Sequence, residues 1–345
     1  MQGAQSVEIQ HGGSLKLDPK STAVLNQIIK NYSLVLKCYR AQIITMKNPL
    51  VDWALLVVPG LIWGASFLFI AEGLGAMEPN GVTFTRIAIG FLTLSLFPSA
   101  RKPVARTDWA GTAWLGVLWL AFPLSMFPFA EQHVSSALTG MLNGATPLFV
   151  AAVASLIAHR LPERGVSAGL IIGFGGAVIM AIPALGGSST AAGIAMIVAA
   201  LISYGVALNI ARPLQQRNGS IPVIWRALGV AVILTAPLGL PAVLNAHWTW
   251  RAALSLACLG AGGTAIAQIL TATAAGRMGA TKASATAFLI PVVALVLGVV
   301  IRHEQVTTVS IAGAGVCLLG AAIIRDPKMF ASMLPGRSVG VSARV

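Results

Sequence analysis

The side chains in this sequence that could do chemistry are few, and most of the motifs they suggest fail on context. Gly260, Gly262 and Ala265 fit a GxGxxA dinucleotide pattern, but they stand inside an apolar run with no strand before them. His303-Glu304 has no second histidine four positions on, so it is not a zinc-protease helix, and no GxxxxGKS or GxxxxGKT loop is present to grip ATP. Cys38, Cys258 and Cys317 lie far apart, which argues against a disulfide framework and against a CxxC metal or redox pair. The sequence therefore predicts no catalytic residue, no metal and no cofactor.

What remains are polar groups embedded in apolar runs. An ionised side chain at the centre of a membrane helix costs roughly 2.5 to 3.5 kcal/mol on insertion scales, which singles out Arg86 and Arg226. Each stands near the start of the second run of its half, and the two are candidate repeat partners. Either they meet a substrate or gate, or they anchor helix ends, because snorkelling to the headgroups is open to both. Asn143 and Thr146 precede Pro147 within one turn, and a proline frees a carbonyl one turn earlier for a cavity or neighbour to satisfy. Tyr204, Asn209, Gln268, Ser284 and Thr286 add hydrogen-bonding capacity in later runs, and Trp63 offers an aromatic wall. Singly, each could bond between helices. As a set, they are expected to converge on one substrate-binding cavity of amides, hydroxyls and aromatics, which suits a neutral or zwitterionic organic molecule.

The elements that must position them are membrane helices. Apolar residues make up 56% of the chain and charged residues only 10%, against roughly 25% charged in soluble domains. Ten apolar runs follow one another, at about 52–72, 81–99, 109–130, 135–158, 166–184, 191–211, 221–243, 251–273, 280–301 and 306–324, each near the length that crosses a bilayer core. Lipid offers the backbone no hydrogen-bond partners, so runs of this length must cross as helices rather than barrel strands. The net charge of +13 would suggest nucleic acid in a soluble protein, but here the cations collect in the gaps between runs and read as topology signals; no nucleic acid is expected. With the N-terminus inside, the inner gaps hold Arg101, Lys102, Arg106, Arg160, Arg164, Arg212, Arg217, Arg277 and Lys282, and the outer gaps only Arg251 and Arg302. The positive-inside rule then places both termini in the cytoplasm of a multi-pass inner-membrane protein.

The chain also repeats. Pro147, Gly169 and Gly176 recur as Pro291, Gly313 and Gly320 at one offset, 291 − 147 = 144. Each half carries five spans, and because five is odd the second half enters the membrane in the opposite direction. The expected fold is thus all-α, with ten transmembrane helices in two inverted five-helix repeats, at 51–184 and 190–325. Residues 1–50 form an N-terminal extension, partly disordered, in which 23–44 either make a basic amphipathic helix on the inner leaflet or precede a natural start at Met46. Residues 326–345 form a cytoplasmic tail. Inverted repeats of this kind underlie alternating access in secondary transporters.

Over about residues 50 to 325 the chain resembles the drug/metabolite transporter superfamily, specifically its EamA-type permeases. Trp63-Gly64 in the first helix, Arg86 within FTRIAIGF in the second, Pro147 and Pro291 in the fourth and ninth, and Glu304 nine positions before Gly313 carry the resemblance. In the first copy the position matching Glu304 is Arg160, with Glu163 displaced, which departs from the pattern. The resemblance implies a permease that moves a small organic solute, such as an amino acid or metabolite, outward. The competing reading is a membrane-embedded lipid-handling protein or an enzyme, though the runs lack a buried nucleophile or metal set. Expected partners are the solute and the surrounding lipids, with monomer or oligomer left open. Glu72 and Glu131 are expected at outer helix ends rather than at the midplane, so facilitated diffusion or exchange fits as well as proton antiport.

Overall fold

A computed structural model describes residues 49–184, 188–278 and 283–325. The expectations for the N-terminal extension before residue 49 and for the C-terminal tail lie outside these residues. Ten apolar helical segments follow one another: α1 (Pro49–Leu74), α2 (Pro79–Ser95), α3 (Arg106–Glu131), α4 (Ser136–Ile157), α5 (Arg164–Ala181), α6 (Ser188–Asn218), α7 (Ser220–Leu244), α8 (Trp250–Arg277), α9 (Thr286–Arg302) and α10 (Thr308–Arg325). Among the described residues there is no strand. Seven of the ten are long and apolar enough to cross a membrane by themselves, while α2, with 17 residues, α9, and the apolar stretch Thr308–Ile324 of α10 are shorter. The ends of α1, α3, α5, α7 and α9 alternate so that Arg101, Arg106, Arg160, Arg164, Arg217 and Arg277 gather at one end, called the basic end below. Arg251 and Arg302 lie at the opposite end.

The repeat is visible in backbone detail that the sequence does not advertise. Helices α4 and α9 both terminate at a histidine in the left-handed conformation, His159 at φ 48° and His303 at φ 54°, again 303 − 159 = 144 apart. Both carry an irregularity ahead of the repeated proline. In α4 the backbone tightens to three-residue bonds at Gly144 and Ala145, and the Thr146 hydroxyl donates to the Asn143 carbonyl at 2.6 Å. That carbonyl is the one Pro147 cannot serve, since proline has no N–H to give it. In α9 the matching stretch, Ser284–Phe288, is a 3₁₀ turn. Helices α3 and α8 each contain a π-helical segment, Gly116–Ala121 and Cys258–Ile266, and such bulges are common at functional sites.

Packing across the halves follows the same symmetry. The π segment of α3 lies on α7, where a Cβ on Gly116 would sit 2.7 Å from the Ala227 carbonyl; the π segment of α8 lies on α2, where a Cβ on Gly260 would sit 2.9 Å from the Arg86 carbonyl. Each π segment has one carbonyl taken by a side chain from the first helix of the other half. Ser203 of α6 donates to Leu118 at 2.6 Å, and Trp63 of α1 donates through its indole to Gly263 at 2.8 Å. Helices α5 and α10 approach backbone to backbone, Gly176 against Gly313 and Cys317, and Gly320 against Gly169 and Gly173. Only residues without a Cβ permit that approach.

Candidate functional site

A cavity of about 370 Å³ lies between the halves, a size suited to a small organic molecule. Trp63, Arg86, Asn143, Thr146, Tyr204 and Gln268 all line it. Gln215 and Ser220, at the end of α6 and the start of α7, line it too, so the cavity reaches the basic end. Toward the opposite end it stops at Phe67 and Phe127. Their rings meet edge to face with centroids 5.7 Å apart, and Phe127 also touches Tyr204 at 6.0 Å.

The remaining expected residues are elsewhere. Arg226 is turned from the cavity: its guanidinium donates to the carbonyls of Pro222 at 3.1 Å and Ala100 at 3.5 Å, and lies 5.5 Å from the Trp225 ring centroid. It is a helix-end anchor at the basic end, where backbone carbonyls satisfy its charge. Nor is it the repeat partner of Arg86. Gly260 packs on Arg86 and Ile89 as Gly116 packs on Ala227 and Val230, so the equivalent of Arg86 is Ala227. Asn209 donates to Val150 and Gly205, and the Thr286 hydroxyl to Leu56, which makes both of them interhelical or intrahelical ties. The side chain of Ser284 lies outside the described residues.

Arg86 does not snorkel. Seven residues into α2 from Pro79, it is only 6% exposed, and its Nε donates to the Thr264 hydroxyl of α8 at 3.2 Å. Among the described residues no carboxylate forms an ion pair with it. A buried cation with one neutral partner keeps most of its donors available, and a guanidinium presents five of them.

Two facing walls, equivalent under the repeat, have opposite polarity. Thr264, Gln268 and Thr271 lie on one face of α8 at i, i+4 and i+7, and Leu120, Leu124 and Phe127 lie likewise on α3; all six line the cavity. They correspond at the familiar offset, 264 − 120 = 144. On the inner helices the aromatic pair is matched instead: Trp63 and Tyr204 stand 204 − 63 = 141 apart, and each precedes a glycine that packs on the proline helix of α9 or α4. Thr264, Thr271 and the α3 stripe went unnoticed in the sequence, although laying α3 over α8 at the repeat offset would have shown them.

At the closed end the charges are mostly paired. Arg302 bonds to Glu72 at 2.9 Å and to Glu304 at 3.4 Å, while Glu304 accepts from the backbone N–H of Ser136 and Ala137 and from the Ser136 hydroxyl at 2.7 Å. A carboxylate there caps the N-terminus of α4 and complements its dipole. The matching residue at the open end is Arg160, which is exposed.

Comparison with known proteins decides the class. The EamA-like transporter family pattern matches residues 53–182 and, a second time, 191–325. The chain belongs to the EamA-like transporter family. The double match coincides with the two halves, so this family member is a membrane transporter of ten helices in two inverted five-helix repeats. Among its relatives is the "Probable terminal-alkyne amino-acid exporter" of Streptantibioticus cattleyicolor, 25% identical over 284 residues that span 81% of this chain and 94% of that one. Uncharacterized transporters of Bacillus subtilis, at 26% identity over 74% of this chain and 89% of theirs, and of Archaeoglobus fulgidus, at 21% over 79% and 98%, are also similar. A crystal structure at 18% identity superposes with a TM-score of 0.54 over 83% of this chain and 98% of its own, a likeness of fold alone.

Proposed function

We propose that this EamA-family transporter exports a small organic solute bearing a carboxylate, such as an amino acid, across the cell membrane by alternating access. Arg86 carries the reading: it is a cation on the cavity wall with no carboxylate among the described residues paired to it. A solute carboxylate would supply the charge that a guanidinium in a low-dielectric site favours. Gln268, Thr271 and Asn143 then offer bonds to an amino group or other polar atoms, and the Leu120–Leu124–Phe127 stripe takes an apolar side chain. The basic end is cytoplasmic by the positive-inside count, so a cavity open to it stands ready to load from inside. The exporter named among the relatives supports the direction.

Flux assays on the full chain in liposomes test the reading. Counterflow of labelled amino acids and small carboxylates should be faster than in empty vesicles and should compete with the corresponding acids, but not with their methyl esters. Movement of a fluorescent phospholipid without flux of any solute would replace this reading with the lipid-handling one.

A further inference from the structure

Glu131 is the last residue of α3, and its setting is unlike that of the other carboxylates at the closed end. It continues the α3 stripe of Leu120, Leu124 and Phe127 one turn further, on the far side of the aromatic floor. Both of its carboxylate oxygens are shut from solvent, and neither has a hydrogen-bond partner. The charged groups acting on it are Glu304 and Arg302 from the connection between α9 and α10, and Arg86 from α2. Arg302 is already engaged by Glu72 and Glu304, and Arg86, which keeps its charge, forms no ion pair with Glu131. Tyr204 is the titratable residue of α6 nearest the floor, and His133 follows two residues on in the chain. An ionised carboxylate with no donor is costly in such a place, and the neutral acid, though also unsatisfied, costs less.

The repeat gives this position a counterpart at the open end. The equivalent of Glu131 is Ala275, at 275 − 131 = 144, and Ala275 lines the open mouth of the cavity. Exchange of the two halves' conformations would put Glu131 at the mouth of the opposite end, in water. We propose that Glu131 is a proton-binding site whose occupancy selects the open end. With the proton bound the opposite end closes and the carboxyl is buried; when the proton leaves to water on that side, the ionised group holds that end open. In balance, closure takes up one proton at the carboxylate and opening releases it, with no other bond made or broken.

The test needs no transported solute, so failure of the amino-acid reading leaves it intact; it rests on alternating access only for the existence of two states. Full-length protein lacking Cys38, Cys258 and Cys317 is placed in nanodiscs with a nitroxide at Gln215→Cys, on the open mouth, or at Leu74→Cys, its equivalent at 215 − 74 = 141. Accessibility to a water-soluble relaxant is read from about pH 5 to about pH 9. In the unsubstituted Glu131 background, the Leu74-to-Gln215 accessibility ratio should rise severalfold with pH, because the state that exposes Leu74 is the one that has released the proton. Glu131→Gln should hold the ratio at its acid value throughout, Glu131→Met should do the same should the glutamine variant not insert, and Glu131→Asp should restore the pH dependence. A pH-independent ratio with Glu131 present, an unchanged pH dependence in the neutral variants, or a ratio fixed at the alkaline value would each overturn the assignment.

Discussion

Two arginines that look alike in sequence part company in the folded chain. Arg86 faces the cavity with a single neutral partner, and Arg226 spends its donors on the carbonyls of Pro222 and Ala100. A hydrogen bond to a charged group is worth about 1.5–3 kcal/mol, which corresponds to roughly ten- to hundredfold in affinity. Arg86→Ala should therefore raise the half-saturation concentration of a carboxylate solute by about that factor, with normal membrane abundance. Arg226→Ala should leave it within about twofold. Flux measured over a range of solute concentrations separates the two. The difference was not legible from the residues, because depth within an apolar run cannot tell a side chain that faces inward from one that reaches back to a helix end. Trp63, Asn143, Thr146, Tyr204 and Gln268 were legible, since a polar or aromatic group deep in a membrane helix has few places to go other than the interior.

Helices show the same division between what spacing reveals and what packing adds. The glycines at 169, 176, 313 and 320 marked the repeat in the sequence, and the fold adds that they bring α5 and α10 together. A Cβ at Gly176 would strike the backbone at Cys317 and Gly313, which cannot swing aside as a side chain can, whereas one at Gly175 or Gly315 would meet nothing within 4 Å. Gly176→Val should destabilise the protein by about 1–3 kcal/mol or more, and Gly175→Ala and Gly315→Ala should not. Heating solubilised protein and following the monodisperse fraction by size-exclusion chromatography would check all three. The π segments of α3 and α8, by contrast, had no signal in the sequence, because hydrophobic period does not distinguish one extra residue in a turn when the whole surface is apolar. Their cause is tertiary: the glycines at 116 and 260 let α7 and α2 press in, and Ser203 and Trp63 take up a carbonyl from each segment.

At the level of the whole chain, ten runs, two copies and the crowding of arginine at one end could all be counted from the sequence. Which end is sealed could not, because inverted halves of similar sequence permit either state. Orientation is open to a direct check in intact cells: with native cysteines removed, Asn245→Cys, at the opposite end, should react with an impermeant maleimide, and Arg160→Cys should not. Reversal of that pattern would turn the proposed direction of loading around. The cavity's two mouths are also chemically unlike, threonine and glutamine near one and phenylalanine near the other. Such a carrier should hold its cargo with different strength on its two sides. If no second gradient drives it, the reversal step between loaded forms must compensate, since binding and conformational free energies around a closed cycle sum to zero. Unlike mouths then give the carrier different half-saturation concentrations and maximal rates in its two directions, so that it is faster one way near saturation, while the rates at low cargo concentration stay equal and the final distribution of cargo is where diffusion alone would put it.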